Sequence, residues 1–270
     1  MERACIEIAS IHRVGELQPR DIGVYAETTV GMEELERYFE ARRDWRPALF
    51  DELRAPRGGQ AFMLSCDDGY RSAMTALLPL LEKRGASCLL FATTGFISGD
   101  LAPYEMLLAD FLAARGQEES YERIRLELKP AGPAASSASL SRLFEDAGAE
   151  PPAPRAGEFL SWDELRELAR HPLVTIGAHT VNHPLLTAQP WREAFRELRE
   201  ARRELQSRLG TPIEAIAYPY GGQSLSVRAL ARLAGYRYGF TTEPERIHGG
   251  AAVDRLALPR IDLRKAASHE

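Results

Sequence analysis

The chain has 270 residues, 44% hydrophobic and 27% charged, and its 34 basic and 39 acidic residues leave a net charge of −5. That is the composition of an ordinary globular protein long enough to bury a large core. The charges are mixed without a basic stripe, which argues against a nucleic-acid partner, and no apolar run reaches the length of a membrane span.

Taken in order, the elements alternate. Ile6 to Ile11 reads as a first strand, ending at His12-Arg13-Val14. Met32, Leu35 and Phe39 keep helical spacing, which predicts an amphipathic helix over 31–43. Phe62 to Cys66 is a short apolar run of the kind a buried parallel strand shows. Ser72 to Lys83 has helical composition, with Pro79 expected to kink or restart it. Ser87 to Ala92 is the next strand.

Residues 100–157 change character and read as a helical, proline-rich insertion within a single domain spanning 1–270. Helices are expected over 104–114, 121–128 and 140–147, with Pro130 to Ser139 as a loop rich in Pro, Ala, Gly and Ser. Alternation then resumes. Ser161-Trp162-Asp163-Glu164 is a capping box opening a helix to Ala169. Val174 to Ala178 is a strand, and Trp191 to Leu209 a long helix whose charged face reads as solvated. A short strand over 215–217, a helix over 225–234, and strands over 238–241 and 258–261 complete the chain. Strand and helix in alternation predict a parallel α/β fold. Groups that follow the strands then fall on one rim of a barrel.

Two such segments carry chemistry. Cys66-Asp67-Asp68-Gly69 delivers adjacent carboxylates after a buried strand, where like charges raise one pKa unless a cation intervenes. On its own this is an ordinary turn sequence. Gly177-Ala178-His179-Thr180-Val181-Asn182-His183 follows another strand and offers two imidazoles four residues apart. One carboxylate with two imidazoles suits zinc or a similar divalent metal and leaves room for water. The other carboxylate is then free to act as a base.

With Tyr218-Pro219-Tyr220-Gly221 added, these segments resemble in order and interval the first three motifs of the polysaccharide deacetylases, the NodB-homology or family 4 carbohydrate esterases. The resemblance runs from His12-Arg13-Val14 through Leu258-Pro259-Arg260-Ile261, leaving out the insertion. It implies a distorted, often incomplete (β/α) barrel and metal-dependent removal of an N-acetyl group from an amino sugar. It implies Asp68, His179 and His183 as ligands of a divalent metal, Zn²⁺ first, with Co²⁺, Ni²⁺ or Mn²⁺ as alternatives. Asp67 is implied as general base and the Tyr220 N–H as an oxyanion donor.

The chain departs from the family pattern in three places. Ser65-Cys66 replaces Thr-Phe before the aspartates. The arginine that usually precedes the third motif is missing, and Arg260 is its candidate replacement in the branch with Tyr-Pro-Tyr-Gly. The usual Leu-x-His is not evident, which leaves His248 as the nearby histidine for a general acid, or Asp67 itself once protonated. Tyr218, Trp162 and His12 are the candidate substrate contacts, whereas His269 lies in a polar tail and reads as uninvolved.

The expected substrate is an acetylated amino sugar in a glycan, a glycan precursor or a small glycoside. The alternatives are a non-sugar amide or ureide, or a carbohydrate-binding protein that has lost turnover. The three cysteines, Cys5, Cys66 and Cys88, read as buried free thiols of a reducing compartment. Residues 1–5 show no signal-type apolar segment, so the expectation is cytoplasmic. The sequence leaves the oligomeric state open.

Overall fold

The computed structural model describes residues 4–19, 21–249 and 253–266, of which 265–266 by backbone alone; His269 lies outside them. Six parallel strands form the frame: β1 (Cys5–Ile11), β2 (Gln60–Cys66), β3 (Cys88–Ala92), β4 (Val174–Ala178), β5 (Ala215–Ala217) and β6 (Tyr238–Phe240). They lie side by side in chain order. The sheet curls, and the chain from Leu258 to Asp262 spans its open side. Leu258 bridges Phe240, while Ile261 and Asp262 pair with Ala9 and Ser10. This is the distorted, incomplete (β/α) barrel that the sequence resemblance implies.

The period of two along each strand divides the core. Ile8, Met63, Leu89, Phe91, Tyr238 and Phe240 fill the barrel interior. Their neighbours Ala9, Leu64, Leu90 and Ile176 face the helices outside. Gly177 belongs to the inward set, and a Cβ there would meet the Phe91 ring at 2.5 Å. Glycine is thus what lets a phenylalanine fill the centre of the barrel.

The outer helices are α1 (Met32–Glu40), α2 (Leu78–Arg84), α3 (Tyr104–Ala113), α4 (Tyr121–Leu128), α5 (Pro133–Asp146), α6 (Trp162–Ala169), α7 (Trp191–Leu209) and α8 (Leu225–Ala234). Pro79 acts as the restart that the sequence suggests. A π-helical turn over Ala73–Leu77 absorbs the missing N–H, and α2 places the proline in its first turn. The capping box at Ser161 is formed in both directions.

Helix α5 begins seven residues earlier than the sequence predicts. Pro133 occupies its first turn, where a missing N–H leaves nothing unpaired. Ser136 is buried and donates its hydroxyl to the Leu128 carbonyl at 2.9 Å. Helices α3, α4 and α5 have an apolar cluster of their own, with Phe111, Tyr121, Leu140 and Phe144 packed against Tyr25 and Tyr70. Among the described residues no helix is long and apolar enough to cross a membrane.

Candidate active site

The inward period of two continues past the strand ends and aims the chemistry. Asp67 lies two residues beyond the inward Ser65 of β2, and His179 two beyond Gly177 of β4. Both reach the barrel mouth on the rim formed by the strand C-termini. There they line a cleft of about 740 Å³ together with His12, Asp68, His183, Tyr220 and Arg260.

The rim backbone is strained, and the strain is local. Among the described residues, the non-glycine residues with positive φ are Asp68, Thr180, His183 and Tyr220, all of them here. Such conformations persist where surrounding structure over-determines them. The tight turn Asp67-Asp68-Gly69 is closed by the Gly69 N–H donating to the Asp67 carbonyl at 2.9 Å.

The adjacent aspartates have opposite environments. Asp67 is gripped by Arg260 in a fork, Nη1 to Oδ1 at 2.6 Å and Nη2 to Oδ2 at 2.8 Å. Arg260 is fully buried, and it also donates to Ser65 Oγ at 3.1 Å and to the Thr241 carbonyl at 3.0 Å. Burial would raise the Asp67 pKa. The Arg260 guanidinium, aided by His179, overrides that and holds the carboxyl well below the usual carboxylate range. Asp68 goes the other way: burial pushes its pKa up, and the charges of Asp67 and Glu105 push it further.

Asp68 Oδ1 is buried with no hydrogen-bond partner. It lies 3.5 Å from His179 Nε2 and 3.5 Å from His183 Nε2, and the two imidazole nitrogens are 3.2 Å apart. The His179 Nδ1 donates to the Ala217 carbonyl at 2.8 Å, which turns its Nε2 lone pair toward Asp68. Burial lowers the pKa of His179 to about 4 and that of His183 well below its ordinary value, so both rings are neutral. Two neutral imidazole nitrogens and an orphaned carboxylate oxygen, all within 4.8 Å of one another, form a donor set that fits a divalent cation.

Glu197 is a participant that the sequence pattern alone did not single out. On α7 it stands among charges read as a solvated face, yet it is only 4% exposed. Its carboxylate accepts from the backbone N–H groups of Val181 and Asn182, both at 2.9 Å, and from the Asn182 side-chain amide at 2.7 Å. It therefore fixes the loop between the two histidines. The signal was present: Glu197 falls on the helix face of the buried Ala194, Leu198, Ala201 and Leu205. Glu105 of α3 escaped notice as well. It is buried in the cleft wall and accepts the Tyr220 hydroxyl.

Two residues expected from the sequence to act at the site, His248 and Trp162, are corrected by position. His248 is exposed and pairs with Cys5, at the start of β1. The rim is at the other end of that strand, about 20 Å away at the usual rise per residue, so His248 cannot deliver a proton to the site. Trp162 is the first residue of the outer helix α6, donates to Ser98 Oγ at 3.2 Å and lies under the Arg208 guanidinium, away from the cleft. Tyr218 borders the cleft, but its hydroxyl turns inward to the Leu256 carbonyl at 2.9 Å and is not offered to a ligand. His12 lines the cleft on the Asp67 side.

Comparison with known proteins agrees with the fold. The family model described as polysaccharide deacetylase matches residues 54–239. Solved structures with the same fold include the Streptococcus pyogenes deacetylase PplD in complex with acetate, 16% identical over 98% of both chains with a TM-score of 0.67. IcaB from Ammonifex degensii is 16% identical over 99% of this chain and 97% of that one, with a TM-score of 0.66. BC0361, a polysaccharide deacetylase from Bacillus cereus, is 14% identical over 98% of this chain and 69% of that one, with a TM-score of 0.65. No curated protein sequence matches significantly.

Proposed function

This chain belongs to the polysaccharide deacetylase family of amide-hydrolysing enzymes, and we propose that it removes the acetyl group from an N-acetylated amino sugar with the help of a divalent metal held by Asp68, His179 and His183. The observation that carries this reading is the orphaned, buried Asp68 Oδ1 between two imidazole nitrogens, beside a second carboxylate fixed by Arg260. Zn²⁺, or Co²⁺, Ni²⁺ or Mn²⁺ in its place, supplies polarisation of the amide carbonyl and a water of lowered pKa.

The protein's own groups divide the remaining work. Asp67 is ionised and rigid, and it takes a proton from the attacking water. A carboxyl held this low by a guanidinium releases the proton readily, so Asp67 also passes it to the departing nitrogen, which needs one to leave. The backbone N–H of Tyr220 donates to the carbonyl oxygen as negative charge develops there. Arg260 keeps Asp67 in one orientation through both transfers. His12 contacts the sugar from the same rim.

Residues 100–157 are, in this reading, an insertion in one catalytic domain that walls one side of the cleft. The supporting observation is that α3 and α4 contribute Glu105, Tyr121 and Glu122 to the cleft lining, and Arg125 and Lys129 beside them.

The test is metal analysis of the purified protein, followed by an acetate-release assay on N-acetylglucosamine oligomers with zinc restored. Stoichiometric metal, loss of turnover on chelation and recovery with zinc are expected, with acetate and not ammonia as product. A protein that neither binds a divalent ion nor frees acetate from any acetylated saccharide overturns the assignment.

A further inference from the structure

Tyr220 has a backbone conformation that a tyrosine does not adopt unaided, φ 59° and ψ 13°, within the turn Pro219–Gly221. The neighbouring residue explains half of how it is held. Gly221, at φ 69°, is pressed so closely on Thr242 that a Cβ would meet the Thr242 hydroxyl oxygen at 2.2 Å. This fixes the turn from the barrel side. The other half comes from the helical wall. The Tyr220 hydroxyl donates to Glu105 Oε1, its ring lies edge-on to the His183 ring at 4.7 Å, and Lys129 Nζ stands 4.3 Å from the ring centroid.

Glu105 is itself well anchored. It is 6% exposed and occupies the first turn of α3, where the helix N-terminus favours a carboxylate. It is a buried acid at the cleft that neither faces the Arg260 fork nor belongs to the Asp68, His179 and His183 donor set.

We propose that Glu105 is a positioning residue for the deacetylation: through the phenol of Tyr220 it locks the left-handed backbone that aims the Tyr220 N–H at the reacting carbonyl. The inference rests on the function proposed above, and it gives the helical wall a part in turnover beyond covering the cleft. An oxyanion donor acts only when pre-aimed, and small misplacements are expensive in rate.

The variants Glu105→Ala, Glu105→Gln and Tyr220→Phe, with the Glu105→Ala/Tyr220→Phe double variant, test it. With zinc restored and N-acetylglucosamine oligomers as probe, Glu105→Ala and Tyr220→Phe should each lower kcat by about 10- to 100-fold, with KM changed less than about twofold. The double variant should be no worse than the poorer single one, because both break the same link. Glu105→Gln, which keeps an acceptor, should recover most of kcat, and zinc affinity should be unchanged throughout. Multiplicative losses in the double variant, or a Glu105→Gln enzyme as slow as Glu105→Ala, overturn a positioning role. Should Glu105→Ala fail to fold, Tyr220→Phe alone still decides, since unchanged kcat in that variant refutes the link. Crystal structures of Glu105→Ala and Tyr220→Phe give a readout independent of turnover. Residue 220 should leave positive φ in both, and a residue 220 that keeps its conformation there sinks the inference even if no acetylated saccharide proves to be a substrate.

Discussion

The barrel rim and the helical wall face each other across one cleft and are built in opposite ways. On the rim, functional groups leave strand ends and are then tied to buried partners: His179 to the Ala217 carbonyl, Arg260 to the Thr241 carbonyl, and the His183 loop to the Glu197 carboxylate. On the wall, groups project from helices that pack on a separate apolar cluster. Lys129 touches the rim through the Tyr220 ring rather than through backbone. Rigid placement to fractions of an ångström suits bond-breaking chemistry. A helical wall with its own core can change residue by residue without disturbing the sheet, which suits the choice of substrate.

The comparison breaks most visibly at Asp67. Asp67→Asn preserves volume and one acceptor for Arg260 but removes the base. We expect kcat to fall by roughly 10²- to 10⁴-fold, with zinc affinity within a few-fold of the parent, measured by acetate release and by competition with a chromogenic chelator. If turnover survives, the proton goes to another group, and the rim loses its claim to the chemistry.

Arg260→Met comes next, and its sign can be worked out. Asp67 works as the anion, so activity is present above its pKa and lost as pH falls through it. The guanidinium holds that pKa down against burial. Without it burial prevails, and the acid limb of kcat/KM moves to higher pH. The same substitution leaves a buried carboxylate unpaired, at a stability loss of roughly 3–5 kcal/mol. In the parent the pair stabilises the fold above the unfolded Asp pKa, and this is lost as pH falls through the folded one. The stability gap between parent and variant should therefore narrow in acid. Denaturant titrations at several pH values and a pH–rate profile check both claims.

The contrast between rim and wall also explains what the sequence made legible. Rim residues come in short contiguous strings, because a strand end presents two or three chemical groups at once. The Asp67-Asp68-Gly69 and His179-x-x-x-His183 strings could therefore be read directly, and Arg260 could be placed by resemblance. The parallel α/β sheet followed from alternation of elements, and its curl into a distorted barrel from the resemblance. Wall residues carry no such string. Glu105 opens an apolar helix, and its importance depends on where that helix docks, which is a tertiary fact. Glu197 was hidden by composition, one acid among many on α7, although its place on the buried face distinguished it. His248 was misassigned because proximity in sequence to the last strands does not say which end of a strand a residue reaches; an antiparallel edge pair carries it to the far end of β1.

Glu197→Gln sharpens the comparison within the rim itself. The variant keeps an acceptor but replaces a carboxylate that takes three N–H donors with an amide that must turn its own NH₂ toward one of them. The loop between the histidines loosens, and zinc affinity should fall about 10- to 100-fold, as for other groups that orient ligands. At saturating zinc kcat should stay near the parent value. A kcat loss that zinc does not repair would mean that Glu197 does more than hold the loop.

The smallest effect is expected on the wall. Lys129→Met keeps the aliphatic stem over the Tyr220 ring and removes the ammonium, a cation–π contact of about 0.5–1 kcal/mol at a partly exposed site. Among the described residues no carboxylate lies within 4.0 Å of Lys129 Nζ, so the substitution strands no buried anion in an ion pair. Folding should be unaffected, and kcat should change less than about threefold, because Glu105 still holds the Tyr220 phenol. Any larger effect should appear in KM and should differ between neutral and anionic saccharides. A uniform kcat loss on every saccharide would place Lys129 with the rim chemistry and erase the distinction between a rigid catalytic rim and a substrate-facing wall.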